Sequence, residues 1–217
     1  MPNNKSAKPK FITLRSQSPS ARILLRTPIR TDAYSLVCRV QDPECTTYLP
    51  HLRFPKNPIT IQSNEKQIEL WRNASGITEQ FLVVVLLPER PAEDGLDPVA
   101  TVGDTGLAPL NIAAGTAECG IMLNSGPDMR GKGIAVEALA MQFAYGFEHL
   151  GLEIISFHTS KDNVPRRGLL EKKFGLEARC REEEGDWELV ATKSWWNERQ
   201  HAAGPDRQMV VSVDEGL

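Results

Sequence analysis

Residues 133–150 carry apolar side chains almost all the way round a helical projection. Ile134, Ala138, Met141 and Tyr145 form one ridge, and Val136, Ala140, Phe143 and Phe147 form the next. A helix with so little polar face has to be covered by a sheet and by neighbouring elements, which only a layered domain with a large core provides. Gly151 follows it as a stop signal, with His149 in the last turn. The chain is long enough to supply that core. Of its 217 residues 41% are hydrophobic, and polar segments at 1–10 and 201–217 read as flexible tails around one domain over 11–200. A domain of that size buries roughly 70% of its extended-chain surface and needs no disulfide or metal staple.

Charge and cysteine usage remove several classes of function. With 25 Lys+Arg against 28 Asp+Glu the formal net charge is −3, so no bulk electrostatic grip on nucleic acid is expected. Cys38, Cys45, Cys119 and Cys180 show no CxxC spacing, and His51, His149, His158 and His201 fall in no zinc-like order, so no metal is expected. The start of the chain is polar and lacks a signal-peptide core, which reads as reduced thiols in a cytosolic or nuclear protein, with a cytoplasmic location expected. The longest apolar run, residues 81–87, is far short of the ~20 residues a membrane helix needs.

Periodicity and turn chemistry predict the other elements. Strands are expected over 21–26, 81–87, 99–102, 117–123 and 153–159, with a hairpin around the acidic turn 182–186. Helices are expected over 31–41, opened by Thr31-Asp32 and ended before Asp42-Pro43, over 63–73, and over 165–173. Residues 88–98 read as a turn-rich loop. Strands interleaved with helices in this order predict an α/β (α+β) fold with a mixed sheet and helices on both faces.

The segment Ser125-Gly126-Pro127-Asp128-Met129-Arg130-Gly131-Lys132-Gly133-Ile134-Ala135 joins an expected strand to the buried helix. A glycine-rich turn at a helix N-terminus presents unpaired N–H groups at the positive end of the helix dipole, a site suited to a pyrophosphate. Arg130 and Lys132 add positive charge. No G-x-x-x-x-G-K-[ST] is present, and Gly131-x-Gly133 meets Val136 where a dinucleotide fingerprint has a small residue. On the loop alone, phosphate binding and a plain βα turn stand side by side.

The flanking residues distinguish them. Arg130-x-x-Gly133-x-Ala135, set between a strand and a long buried helix, resembles the acetyl-CoA-binding motif of the GNAT acetyltransferases. AECGIML at 117–123 followed by RGKGIAVEAL at 130–139 is similar, more narrowly, to the branch that includes the RimJ/RimL ribosomal-protein N-acetyltransferases. Weaker likeness lies in ARILLR at 21–26, in Val102-Gly103, and in Asn163 followed by Glu171-Lys172 and Phe174-Gly175-Leu176.

The resemblance implies a GNAT fold with a central, mostly antiparallel mixed sheet, and acetyl-CoA as cosubstrate. It implies that the backbone of Arg130, Gly131, Lys132, Gly133, Ile134 and Ala135, with Met129 ahead of it, holds the CoA pyrophosphate. The strand bearing Cys119, Ile121 and Leu123 would pair with the pantetheine arm and offer an N–H to the thioester oxygen. Asn163 matches the family asparagine near the end of that arm. Two departures accompany the match. Arg166 stands where the family often has Ser, and no Tyr lies between 163 and 175 to protonate the leaving thiolate. The family's EKxGF motif is also stretched by one residue, as Glu171-Lys172-Lys173-Phe174-Gly175.

Transfer of an acetyl group to an amine requires the amine neutral, the carbonyl polarised and the thiolate able to leave. Glu118, at the entry of the central strand, is the candidate base, against the alternative of an exposed strand-edge carboxylate. Glu137 in the first helical turn reads as structural, and His158 as a packed strand histidine. Arg166, Arg167, Lys172 and Lys173 are candidates for the adenosine phosphate or for a solvated basic face. Trp187, Trp195 and Trp196 read as packing, and Cys119 as a small buried hydrophobe. The implied acceptor is a primary amine, with a protein N-terminal α-amine favoured. A small-molecule amine and an inactive CoA-binding regulatory module are the alternatives, and both a monomer and a homodimer remain open.

Overall fold

The computed structural model describes residues 11–87, 101–127, 129–204 and 208–216. The expected N-terminal tail, the loop 88–98 and the first half of the strand 99–102 lie outside them. One sheet of nine strands runs through the molecule in the order β7-β8-β6-β5-β4-β3-β2-β1-β9. Its strands are β1 (Phe11–Ser16), β2 (Ile23–Arg26), β3 (Gln80–Leu86), β4 (Thr101–Asn111), β5 (Thr116–Leu123), β6 (Ile154–Ser160), β7 (Ala178–Arg181), β8 (Asp186–Thr192) and β9 (Val211–Gly216). The helices are α1 (Ala33–Gln41), the single turn α2 (Pro50–Arg53), α3 (Ile61–Ala74), α4 (Ile134–Ala144), α5 (Val164–Leu169) and α6 (Lys193–Ala203).

Strand alternation sorts the core into two layers. Ile23 and Leu25 of β2, and Leu82 and Val84 of β3, face α4, whose Ala138, Leu139, Met141 and Phe143 are completely buried. Leu24, Val83 and Val85 face the other way, onto Ala33 and Leu36 of α1 and Ile68 of α3. These strands read as unbroken apolar runs because both their faces are covered. The helix expected over 133–150 is α4 continued by a wider π-type turn, Tyr145–His149.

Among the described strands one contact is parallel, between β5 and β6, and it is brief. Thr116, Ala117 and Glu118 pair with Ile154, Ile155 and Ser156. Beyond Glu118 the two strands separate, while β5 stays paired with β4 as far as Leu123 opposite Gly103. The result is a cleft in the middle of the sheet, with one open strand edge along it.

Several expectations are corrected. Thr31-Asp32 does not cap α1 in the expected way: a 3₁₀ turn at Arg30–Asp32 precedes the helix. The buried Asp32 carboxylate accepts from Arg26 Nη1 and Nη2 (2.6 and 2.8 Å) and from the Ile29 N–H (2.7 Å). β4 runs far past 102, through Gly103 and Asp104, because Gly103 lets β5 approach where a Cβ would stand 2.8 Å from the Met122 carbonyl oxygen. The C-terminal segment is not a free tail. α6 extends to Ala203, and Val211–Gly216 pairs with the whole of β1, from Phe11 opposite Gly216 to Ser16 opposite Val211. This pairing satisfies an edge that would otherwise present a row of open backbone groups, and it places the buried Val211 on the core.

Candidate active site

The loop before α4 has the geometry of an anion cradle. Gly131 and Gly133 both hold left-handed conformations (φ 71° and 77°), and Gly133 is the residue from which α4 starts. The first main-chain N–H groups of α4, from Ile134 onward, therefore stand beside this loop at the positive end of the helix. Arg22, at the start of β2, reaches across the same loop. Its Nη1 donates to the Lys132 carbonyl, its Nε donates to Glu137 Oε2 (3.0 Å), and its main-chain N–H donates to Glu137 Oε1 (2.8 Å). Glu137 also accepts from the Ile23 N–H (3.3 Å) and is nearly buried, so it clamps β2 to α4.

From this loop a groove of about 1290 Å³ follows the open edge of β5 towards the cleft. Ile121, Leu123, Met129, Arg130, Gly131, Gly133, Ile134, Ala135, Asn163 and Arg166 all line it. Lys132 does not; it is exposed and takes part through its carbonyl. Arg130 leans on Glu44 (2.6 Å), a surface pair that ties the loop after α1 to the cradle. That loop forms the opposite wall with Cys45, Tyr48 and Leu49. Asp42 accepts from the Ser125 hydroxyl and from the Glu44 N–H (2.8 Å), and these bonds hold its carboxyl below the ordinary range. Cys45 Sγ donates to the Leu123 carbonyl (3.3 Å).

Backbone direction along β5 follows from its partners. The Gly120 carbonyl accepts from Thr105 of β4 (2.7 Å), whereas the carbonyls of Ala117, Cys119 and Leu123 are taken from the other side, by Ser156, Arg166 and Cys45. Ile121 shares that outward direction, so its N–H and C=O face the cleft. Asn163 sits at the N-cap of α5 and accepts from the Arg166 N–H (3.2 Å). Arg166 then extends into the cleft, where Nη2 donates to the Cys119 carbonyl (2.8 Å) and Nε is buried without a partner among the described residues. Desolvation lowers the guanidinium from its ordinary pKa, and the neighbouring Cys119 and Glu118 oppose the shift.

Glu118 is the last residue of β5 still paired with β6. Ala117 and Cys119 on either side of it pack under α4, so alternation turns Glu118 to the face that carries α1. It does not line the groove itself. The Cys119 thiol is fully buried, and burial pushes it up to about 12, which suits a packed hydrophobe and not a nucleophile. His158 lies apart from the groove with Nδ1 3.8 Å from Asp186. Trp195 and Trp196 pack about Phe143, and Trp196 Nε1 donates to Glu148 (2.8 Å). Trp187 lies under the Arg167 guanidinium at 4.6 Å. No group of three or more His, Cys, Asp or Glu suited to a metal ion occurs among the described residues, and no described helix is long and apolar enough to cross a membrane.

Residues 22–175 match the family model described as an acetyltransferase (GNAT) domain. The chain belongs to the GNAT acetyltransferases. Solved structures share the fold at low identity. RimJ of Mycobacterium smegmatis in complex with CoA-disulfide is 19% identical with a TM-score of 0.64, over 86% of this chain and 88% of its own. The spermidine N-acetyltransferase of Vibrio cholerae, in complex with CoA and spermine, is 19% identical with a TM-score of 0.59, over 80% and 96%. A GNAT-family acetyltransferase of Bacillus anthracis is 18% identical with a TM-score of 0.61, over 84% and 99%. No curated protein sequence matches.

Within this GNAT fold the stretched EKxGF motif has a local explanation. α5 widens into a π-type turn at Leu170–Phe174, which takes up one extra residue, and Gly175 (φ 72°) closes it. Sequence reasoning missed Arg22, Cys45 and Tyr48, whose place in the groove depends on contacts with partners far away in the chain. It also missed Arg39, whose side chain is wholly buried. Arg39 donates to Asp104 (2.7 Å), to the Thr101 carbonyl (3.0 Å) and, through Nε, to Asn124 (2.9 Å), fixing the end of β5 where the cradle loop begins.

Proposed function

We propose that this protein is an acetyl-CoA-dependent N-acetyltransferase that acts by direct attack of an amine on the thioester. The open edge of β5 leading from the cradle loop to the cleft carries the reading: it offers one extended ligand an anion site at one end and a strand edge along its length. In this reading residues 130–135 receive the pyrophosphate and Ile121 and Leu123 meet the pantetheine arm, with Asn163 near its end. The Ile121 N–H is the donor for the carbonyl oxygen as charge develops there. Glu118, on the α1 side of the cleft, is the group that draws the proton from the acceptor, directly or through one water.

The acceptor we favour is a protein N-terminal α-amine, from the similarity of residues 117–139 to the RimJ/RimL branch. An α-amine has a reference pKa near 8 against about 10.4 for lysine, so it makes the smaller demand on a carboxylate base. A small polyamine is the competing acceptor, since a spermidine N-acetyltransferase shares the fold at the same 19% identity. Four unpaired cysteines fit a reducing, cytoplasmic setting. The test has two arms. Acetyl-CoA at a hundredfold excess over Kd should stabilise the native state by about 2.7 kcal/mol, read as a rise in Tm. Release of free CoA thiol should then follow addition of peptides with a free N-terminus and not of spermidine. An unmoved Tm refutes the reading as a whole. Binding with no release from any amine would make the protein a CoA-binding module, and release with spermidine alone would reverse the choice of acceptor.

A further inference from the structure

The fold leaves the departing thiolate without a hydroxyl partner on α5, and the residue that projects into the cleft instead is Arg166. Its backbone is pinned by the Asn163 cap, and its guanidinium takes the carbonyl of Cys119, the first β5 residue beyond the paired segment. That position closes the cleft at its apex. A ligand pairing along β5 therefore begins its ladder at Ile121, roughly 7 Å further along the strand, and its sulfur end arrives against Arg166. One N–H of the guanidinium, at Nε, is already desolvated and has no acceptor among the described residues. A buried donor without an acceptor is costly unless a ligand supplies one.

We propose that Arg166 stabilises the departing CoA thiolate electrostatically, in place of a side chain that would protonate it. This rests on the acetyltransferase reading above and names the group that completes it. The amine nitrogen donates its pair to the carbonyl carbon, the C–S bond breaks, and that pair goes to sulfur. The amine gives up its proton to Glu118 or water. The guanidinium keeps all of its protons, and the thiolate takes one from solvent after it leaves. A guanidinium does not deprotonate at any working pH, so it lowers the energy of the thiolate without a proton transfer of its own. Among the described residues the charged and titratable groups acting on it are both from β5: the Cys119 thiol, and Glu118, whose negative charge works against a neighbouring thiolate.

The signature is the ionisation of CoA bound to the full-length protein, followed by the ultraviolet absorbance of the thiolate at saturating CoA. Bound CoA should titrate below free CoA in the same buffer, and the Arg166→Gln variant should bring the thiol back to the free value or above it. The kcat of Arg166→Gln should fall by roughly 10²-fold, the size of effect seen when one donor to a developing charge is removed. Arg166→Lys, which retains a cation but not the planar fork, should keep part of the depression, and it serves if the glutamine variant fails to fold. A bound thiol that titrates like free CoA in the wild type overturns the proposal, as does a depression that survives Arg166→Gln unchanged. Failure of the wild type to bind CoA would refute the acetyltransferase reading itself, and is distinguished from both by the absence of any saturable change.

Discussion

Replacing Gly133 by Val separates a phosphate cradle from a plain turn. Gly133 holds φ 77° and ψ 8°, a conformation that costs an L-residue about 1–2 kcal/mol. A Cβ there would stand 3.2 Å from Arg22 Nη2. Arg22 is half-exposed and can give way, at the cost of its hydrogen bond to the Lys132 carbonyl, about 1 kcal/mol, and of the partly exposed pair of its Nη2 with Glu137, up to about 1 kcal/mol. The sum, about 2–4 kcal/mol, leaves a domain of ordinary stability folded. Binding should suffer more. The valine methyl groups would fill the space in front of the helix N-terminus, and loss of one or two charge-assisted bonds to a pyrophosphate is worth about 3 kcal/mol or more, roughly 100-fold in Kd. Gly131→Ala is the control, because a Cβ at Gly131 meets nothing within 4 Å and only the backbone term of about 1–2 kcal/mol applies. Circular dichroism and urea unfolding report the fold, and calorimetric titration with CoA reports the affinity. A folded Gly133→Val protein that binds CoA within about threefold of wild type would show that the loop is only a connection.

Three further outcomes are expected. Glu118→Gln should lower kcat at neutral pH by up to about 10²-fold and much less near pH 9, where an α-amine of reference pKa near 8 is largely neutral unaided; pH profiles of kcat check it, and an equal loss at every pH would make Glu118 a positioning group. Glu137→Gln should cost about 1.5–3 kcal/mol of stability, because the charged acceptor of two main-chain N–H groups and of Arg22 is lost, measured by urea unfolding; it should weaken CoA binding only through the loosened loop. Arg39→Met should cost about 3–5 kcal/mol at neutral pH by leaving Asp104 buried and unpaired. Burial already raises the Asp104 carboxyl, with Arg39 opposing the shift. A carboxyl raised in the folded state contributes stability that is present at low pH and lost as pH rises through its folded pKa. The penalty of Arg39→Met should therefore shrink on acidification, as unfolding curves across the acid range would show.

What could be read from the sequence is what depends on neighbours in the chain. α4 and its cradle loop are legible because an all-round apolar run, two glycines and a preceding apolar strand lie within about thirty consecutive residues, and local rules of period and turn chemistry apply to each. β4 is not, since Gly103, Asp104 and Gly106 are poor strand residues until a closely packed partner on each side makes them fit. β9 is not, because VSVDEG is too short and acidic to stand out from a tail, and what fixes it is β1, two hundred residues earlier in the chain. The same limit applies to the site. Asn163 and the cradle are visible as motif residues, but the clamp of Arg22 on Glu137 and the wall made by residues 42–49 exist only through contacts that no local pattern encodes.

Arg166 shows how a departure from a family pattern becomes interpretable once its surroundings are known. On the sequence it is a missing Ser beside a missing Tyr, which weakens the case for turnover. In three dimensions it sits at the apex of the cleft, where β5 first parts from β6, with its main chain held by the Asn163 cap and its side chain on the Cys119 carbonyl. The extra residue in the motif that follows does not disturb this, because the π-type turn at Leu170–Phe174 takes it up downstream of Arg166. The turn also returns Phe174 to the aromatic cluster around Phe143. The helix is thus anchored at both ends, by a polar cap at the cleft and by aromatic packing against α4. Between these anchors the guanidinium has a fixed base from which to act on the cleft, and a fixed cation there can stabilise a leaving anion without reorganising as the charge appears.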